Sequence, residues 1–138
     1  MAYELPIGQF TFAASTGLQQ YTFVELNSAG VLAQPSTAGM CIGVLVSSGT
    51  TGSTGAAGST TSGRPQAVQF YGIAKLLSGS SSIVIGDLIT NTTNGLAKVA
   101  TSTDYVYGIA LAAGVSTSTV AEVIPVLLKT FGSISTAS

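Results

Sequence analysis

Apolar and polar residues along this chain follow strand spacing and do not keep helical spacing. The segments FVEL from Phe23, MCIGVLV from Met40, AVQFYGIAKLL at 67–77, SIVIGDLIT at 82–90, YVYGIALAAG at 105–114 and VAEVIPVLLKTF at 120–131 are rich in β-branched and aromatic residues. Such segments, partly alternating and bounded by turn residues, read as half-buried strands. No window of about eleven residues carries apolar positions at i, i+3, i+4 and i+7. The strong helix formers Glu, Lys and Arg are nearly absent. Short strands with turn signals between them predict an all-β domain, a small β-barrel or sandwich. Pro125 cannot donate a ladder N–H, which predicts that the strand at 120–131 is an edge or carries a bulge.

The pattern also repeats. Displaced by 65 positions, Gly30, Gly43 and Gly49 fall on Gly95, Gly108 and Gly114 without a gap. Val24 falls on Ile89, Val31 on Leu96, Val44 on Ile109 and Val46 on Leu111. Each half, about 23–49 and 88–114, reads as strand, tight turn, strand, polar loop, strand. The turns are NSAG at 27–30 and NTTNG at 91–95, whose Asn-Gly pair tolerates positive φ. Gly30, Gly86 and Gly95 are therefore expected at turns. Gly43 and Gly108 are expected where backbones cross closely or a strand bends.

Outside the repeat, residues 1–20 read as a flexible N-terminal arm, 21–131 as a single β domain and 132–138 as a tail. Between Ser47 and Pro65 the chain is Gly, Ser, Thr and Ala apart from Arg64, with no large apolar residue, which predicts a long flexible loop.

Composition narrows the function. Of 138 residues, 46% are hydrophobic but only 7% are charged, against roughly 25% in ordinary soluble domains. Hydroxyl-bearing residues take the place of charges. With a net charge of −1, self-association is favoured over colloidal repulsion. Arg64, Lys75, Lys98 and Lys129 are scattered, which argues against nucleic acid. The apolar runs fall short of the ~20 residues of a membrane span, and the first residues lack the pattern of a signal peptide. Cys41, flanked by Met40 and Ile42, reads as a buried, inert thiol.

Catalytic apparatus is missing from the sequence. There is no histidine, so neither a Ser-His-Asp nor a Cys-His site can be built within one chain. The acids Glu4, Glu25, Asp87, Asp104 and Glu122 are not adjacent, and no Gly-Lys-Ser/Thr phosphate loop occurs. Asp87 and Asp104 read as turn residues bonded to their own backbone, and Tyr105 and Tyr107 as core or contact residues on one face. No enzyme activity, cofactor or metal site is expected.

One family resemblance runs through about residues 21–130. GVL at 43–45, GIA at 72–74, GDLIT at 86–90, GLA at 95–97, GIAL at 108–111 and VLL at 126–128 follow one another in an order that resembles the small capsid decoration, or cement, proteins of tailed bacteriophages. The resemblance implies a structural protein, made in the host cytoplasm, that binds the outer surface of an assembled head and stabilises it. Its implied partners are the major capsid protein and itself, as a homotrimer. It also implies that the arm, with Tyr3, Leu5, Pro6, Ile7, Phe10 and Phe12, contacts the capsid. The strands at 67–77 and 120–131 are further candidates for subunit contact. A different virion or adhesive module, such as a head-fibre base or tail component, shares the architecture and is the alternative.

Overall fold

The computed structural model describes residues 5–15, 17–35, 41–46, 65–79, 82–101, 104–114 and 122–128, with the backbone alone for 5–7. Tyr3, the tail 132–138 and nearly all of the loop 47–65 lie outside the described residues. Within them the chain is all-β. The strands are β1 (Leu5–Ala13), β2 (Phe23–Leu26), β3 (Leu32–Ala33), β4 (Gly43–Leu45), β5 (Pro65–Leu77), β6 (Leu88–Asn91), β7 (Ala97–Val99), β8 (Gly108–Ala110) and β9 (Val123–Leu128). They form one curled antiparallel sheet in the order β3-β2-β4-β5-β9-β8-β6-β7, a half-barrel, with β1 paired to β5.

The duplication is a duplication of register. Phe23 pairs with Val44 and Val24 with Gly43, while 65 residues later Leu88 pairs with Ile109 and Ile89 with Gly108. Glu25 and Leu26 pair with Ala33 and Leu32, as Thr90 and Asn91 pair with Lys98 and Ala97. Bonds outside the ladders repeat too. Ile42 N–H donates to Val24 O, and Tyr107 N–H to Ile89 O. Tyr21 N–H donates to Leu45 O, and Gly86 N–H to Ala110 O. A one-residue slip would turn every side chain to the other face, so matched register means matched inside and outside.

Strand β5 belongs to both halves. Its first part pairs with β4 as β9 pairs with β8, so that Gln69 matches Leu127 and Val68 matches Val126. Its second part pairs with β9 as β1 pairs with β5. The match carries past the strands: the Ala14–Leu32 bridge recurs as Ser78–Ala97, and Ser15 N–H to Leu32 O recurs as Gly79 N–H to Ala97 O.

Two expectations are corrected. Within the arm assigned to residues 1–20, the segment Leu5–Ala13 is not flexible: it is the opening strand of the first half, paired with β5 from Leu5–Ile73 to Ala13–Pro65. The F-T-F alternation there gives it an inner side, so Phe12 packs on the first core. Nor is the strand of Pro125 an edge, since β9 runs between β5 and β8. Pro125 is tolerated because β8 ends at Ala110, and only the Pro125 carbonyl is used beyond it, accepting from Leu111 N–H.

Each half has its own core. Ala14, Leu18, Val24, Leu32, Leu45 and Val68 form the first. Their counterparts Ile83, Ile89, Ala97, Ala110 and Val126 lie in the second, which is larger. It also takes Phe23, Cys41 and Val44 from the first half, together with Ala74, Leu76, Ile124 and Leu128. The Phe23–Val24 end of β2 and the whole of β4 are therefore buried on both faces. Val24 and Leu45 point into the first core, and Phe23 and Val44 into the second. Burying one such side chain contributes about 1.5–3 kcal/mol, so these crossings bind the halves into one unit. Phe23 N–H to Gly95 O (2.7 Å) and Leu77 N–H to Tyr21 O (2.8 Å) reinforce the junction.

Candidate interaction surface

The turn glycines take backbone conformations that favour glycine: φ is +73° at Gly30, +92° at Gly86 and +79° at Gly95. The first and third close equivalent turns. Asn27 Oδ1 accepts the N–H groups of Ala29 and Val31, while Thr92 Oγ1 accepts those of Asn94 and Leu96. At Gly86 the turn is held by Asp87, whose carboxylate accepts from Val84 N–H at 2.9 Å. That turn presents Val84 and Ile85 to solvent. Asp104 does similar local work, accepting from both N–H and Oγ1 of Thr101 at 2.9 Å. The Thr101 N–H bond, with lesser help from Thr101 Oγ1 and Lys98, holds its carboxyl below the usual range.

Of the residues assigned to the arm, the structure brings Phe10 and Phe12 into an aromatic cluster with Phe70 of β5. Phe10 and Phe70 stack with ring centroids 4.8 Å apart and an interplanar angle of 10°. Phe12 meets Phe10 edge-on at 6.4 Å. A bulge makes this possible: Gly8 pairs with Tyr71 and Gln9 with Gln69, which leaves Phe70 out of the ladder. The Phe70 ring then lies over Gly8, where a Cβ would come within 2.5 Å of it. Gln69, fully buried, donates its amide to the carbonyls of Tyr71 (2.9 Å) and Ile73 (3.0 Å) just past the bulge. The cluster is open to solvent: Phe10 is 59% exposed and Phe70 38%. The backbone of Leu5, Pro6 and Ile7 lies in the same strand, whereas Tyr3 is outside the described residues. Phe70 is not legible in the sequence as a partner of Phe10, because the two meet only through a register shift between distant strands.

Beside this cluster a cleft runs between the halves, lined by Phe23, Cys41, Ile42, Gly43, Phe70, Tyr107 and Leu128. Its floor is inert. Burial pushes the Cys41 thiol up to about 12, against a smaller downward pull from Tyr107. Tyr107 is also pushed up, mainly by burial, and its hydroxyl accepts from Cys41 N–H at 3.1 Å. A second recess also borders Phe23. Gln19, Thr22, Gln34 and Asn94 line it with no ionisable group, and Gln34 Nε2 donates to Asn94 Oδ1 at 3.2 Å. Among the described residues no three His, Cys, Asp or Glu side chains are placed to hold a metal ion.

No protein-family model matches this chain, and no curated protein does. A solved structure does match. The head fiber gp8.5 N base of bacteriophage phi29 superposes with a TM-score of 0.62, over 88% of this chain and 93% of that one. The two are 16% identical, so the likeness is one of fold. What they share is the path of the chain through nearly the whole of both.

Proposed function

We propose that this chain is a structural protein of a phage virion, a capsid decoration (cement) protein that binds the outer surface of the head and stabilises it. The observation that carries the proposal is the near end-to-end fold likeness to a phage head-fibre base. The ordered motifs GVL, GDLIT, GIAL and VLL support the decoration role in particular. On this proposal the partners are the major capsid protein and further copies of the chain, as a homotrimer, and the role is structural and not enzymatic. Each copy then needs only a modest contact with the shell, because repetition over the head supplies avidity. A surface with few charges lets many copies sit side by side without repulsion.

A head-fibre base is the second reading, favoured by what the matched structure is. Both place the chain on the head, and they differ in whether it carries a projection. Cryo-electron microscopy of particles with the protein present and stripped is the test. Low density bridging capsomers is expected for a cement protein. Density beneath a protruding fibre would replace it with the second reading, and density on the tail or nowhere would overturn both.

A further inference from the structure

The internal repeat supplies its own control for which surfaces are left uncovered. In the first half, Phe23, Val44 and Gln69 stand side by side as cross-strand partners, and all three are buried. What buries this row is the second half: Phe23 and Val44 share one core with Ala74, Leu76, Ile124 and Leu128, and the Tyr107 ring lies 5.2 Å from that of Phe23. The equivalent row in the second half is Leu88, Ile109 and Leu127; beyond it Ile73 on β5 stands where the first half has the exposed Gln9. The row is at least as apolar as the first, yet Leu127 is 39% exposed and Leu88 and Ile109 are partly exposed.

Polarity and burial are therefore inverted. The buried row contains a glutamine, and the open row has leucine at the same place. A row that ended at water would be expected to carry the polar residue, as the end repeats of stacked structures do. The second half lacks the cover that it gives to the first.

The missing cover exists on the other end of the molecule. The covering residues Ala74, Leu76 and Leu128 correspond to Phe10, Phe12 and Phe70 by the matched pairings of β1 and β5. In the second half they are buried, whereas Phe10 and Phe70 are exposed. Tyr107 corresponds to Ile42.

We propose that these two open surfaces are the halves of one head-to-tail contact between copies of this chain. The Phe10–Phe12–Phe70 cluster of one copy covers the Leu88–Ile109–Leu127 row of the next, continuing between chains the packing that joins the halves within one. The occupant is a second copy because the contact repeats one the chain already makes with itself. The net charge of −1 sets up little repulsion between copies. Such a contact is heterologous: the two surfaces differ, and a ring forms if the rotation closes.

The inference does not depend on capsid binding, since its test uses the isolated full-length protein, but it rests on the self-association in that proposal: a monomeric native chain counts against both, whereas a folded variant that associates like the native chain counts against this contact alone. Sedimentation at about 100 µM, well above a micromolar Kd, compares the native chain with Phe10→Asp and Leu127→Asp, both at exposed positions. Circular dichroism melts establish that each variant folds. Should Leu127→Asp not fold, Leu127→Gln, which copies the residue at position 69, takes its place. The native chain is expected to self-associate and each variant to sediment as a monomer. An equal mixture of the two variants is expected to form a pair and no larger species, since each keeps one intact surface. A monomeric native chain, a folded variant that associates like the native chain, or a mixture that stays monomeric would each overturn the proposal.

Discussion

Gly43 and Gly108 occupy the same position in the two halves, each against the backbone of a neighbouring strand. A Cβ on Gly43 would lie 2.4 Å from the carbonyl oxygen of Gln69, and one on Gly108 would lie 2.6 Å from that of Leu127. Backbone cannot rotate away as a side-chain tip can. Gly43→Ala and Gly108→Ala are each expected to cost about 1–3 kcal/mol, the range of overpacked cores, and Gly108→Val more. Thermal unfolding checks this, and an unchanged Tm for Gly108→Val would refute the close approach.

Tyr21 and Gly86 are also equivalents, with φ of +65° and +92°. Nothing lies within 4 Å of where a Cβ on Gly86 would stand, so a substitution there reports backbone strain alone. Gly86→Ala is expected to cost roughly 1–2 kcal/mol, with Gly86→Asn milder because Asn tolerates positive φ. Tyr21 bears the same strain with a side chain attached, and the Lys75 ammonium lies 5.7 Å from its ring centroid. Chemical denaturation of the two Gly86 variants gives the comparison.

Thr92 does with a hydroxyl what Asn27 does with an amide oxygen, accepting two backbone N–H groups across its turn. Thr92→Ala is expected to lose about 1 kcal/mol. Thr92→Asn should be close to neutral, because the other half already uses that residue. A Thr92→Asn variant as unstable as Thr92→Ala would show that the turns are not interchangeable.

Alkaline pH acts on the cleft between the halves. The folded pKa of Cys41, about 12, lies above its ordinary 9.0, and that of Tyr107 moves in the same direction. The unfolded chain therefore loses these protons first as pH rises. Stability from keeping both groups neutral is complete below about pH 9 and is lost as pH climbs toward 12. Denaturation midpoints should fall across that window, and Cys41→Ala should flatten part of the slope. The folded thiol should also resist alkylation at pH 8 and react once the chain unfolds.

The strand at 67–77, the turns at 27–30 and 91–95 and the register of the duplication are readable in the sequence because each is local or periodic, whereas 82–90 is a strand only from Leu88, after the turn at Gly86. Glycine at a positive φ and apolar alternation are written within a few residues. The N-terminal strand reads as an arm for the opposite reason. Its partner, β5, lies some sixty residues away, and FTF a few residues after Pro6 carries no mark of what it pairs with. Pro125 misleads in the same way, since an interior strand accepts it only where its neighbour has already ended.

By itself the sequence determined that the chain is built of strands, that it says one thing twice, and that it offers no histidine chemistry. Those properties follow from composition and spacing. Only the tertiary structure decided that β5 serves both halves, that Phe23 and Val44 are buried by the second half, and that Leu88, Ile109 and Leu127 have no such cover. A period of two tells which residues share a face, and long-range pairing alone determines what that face meets.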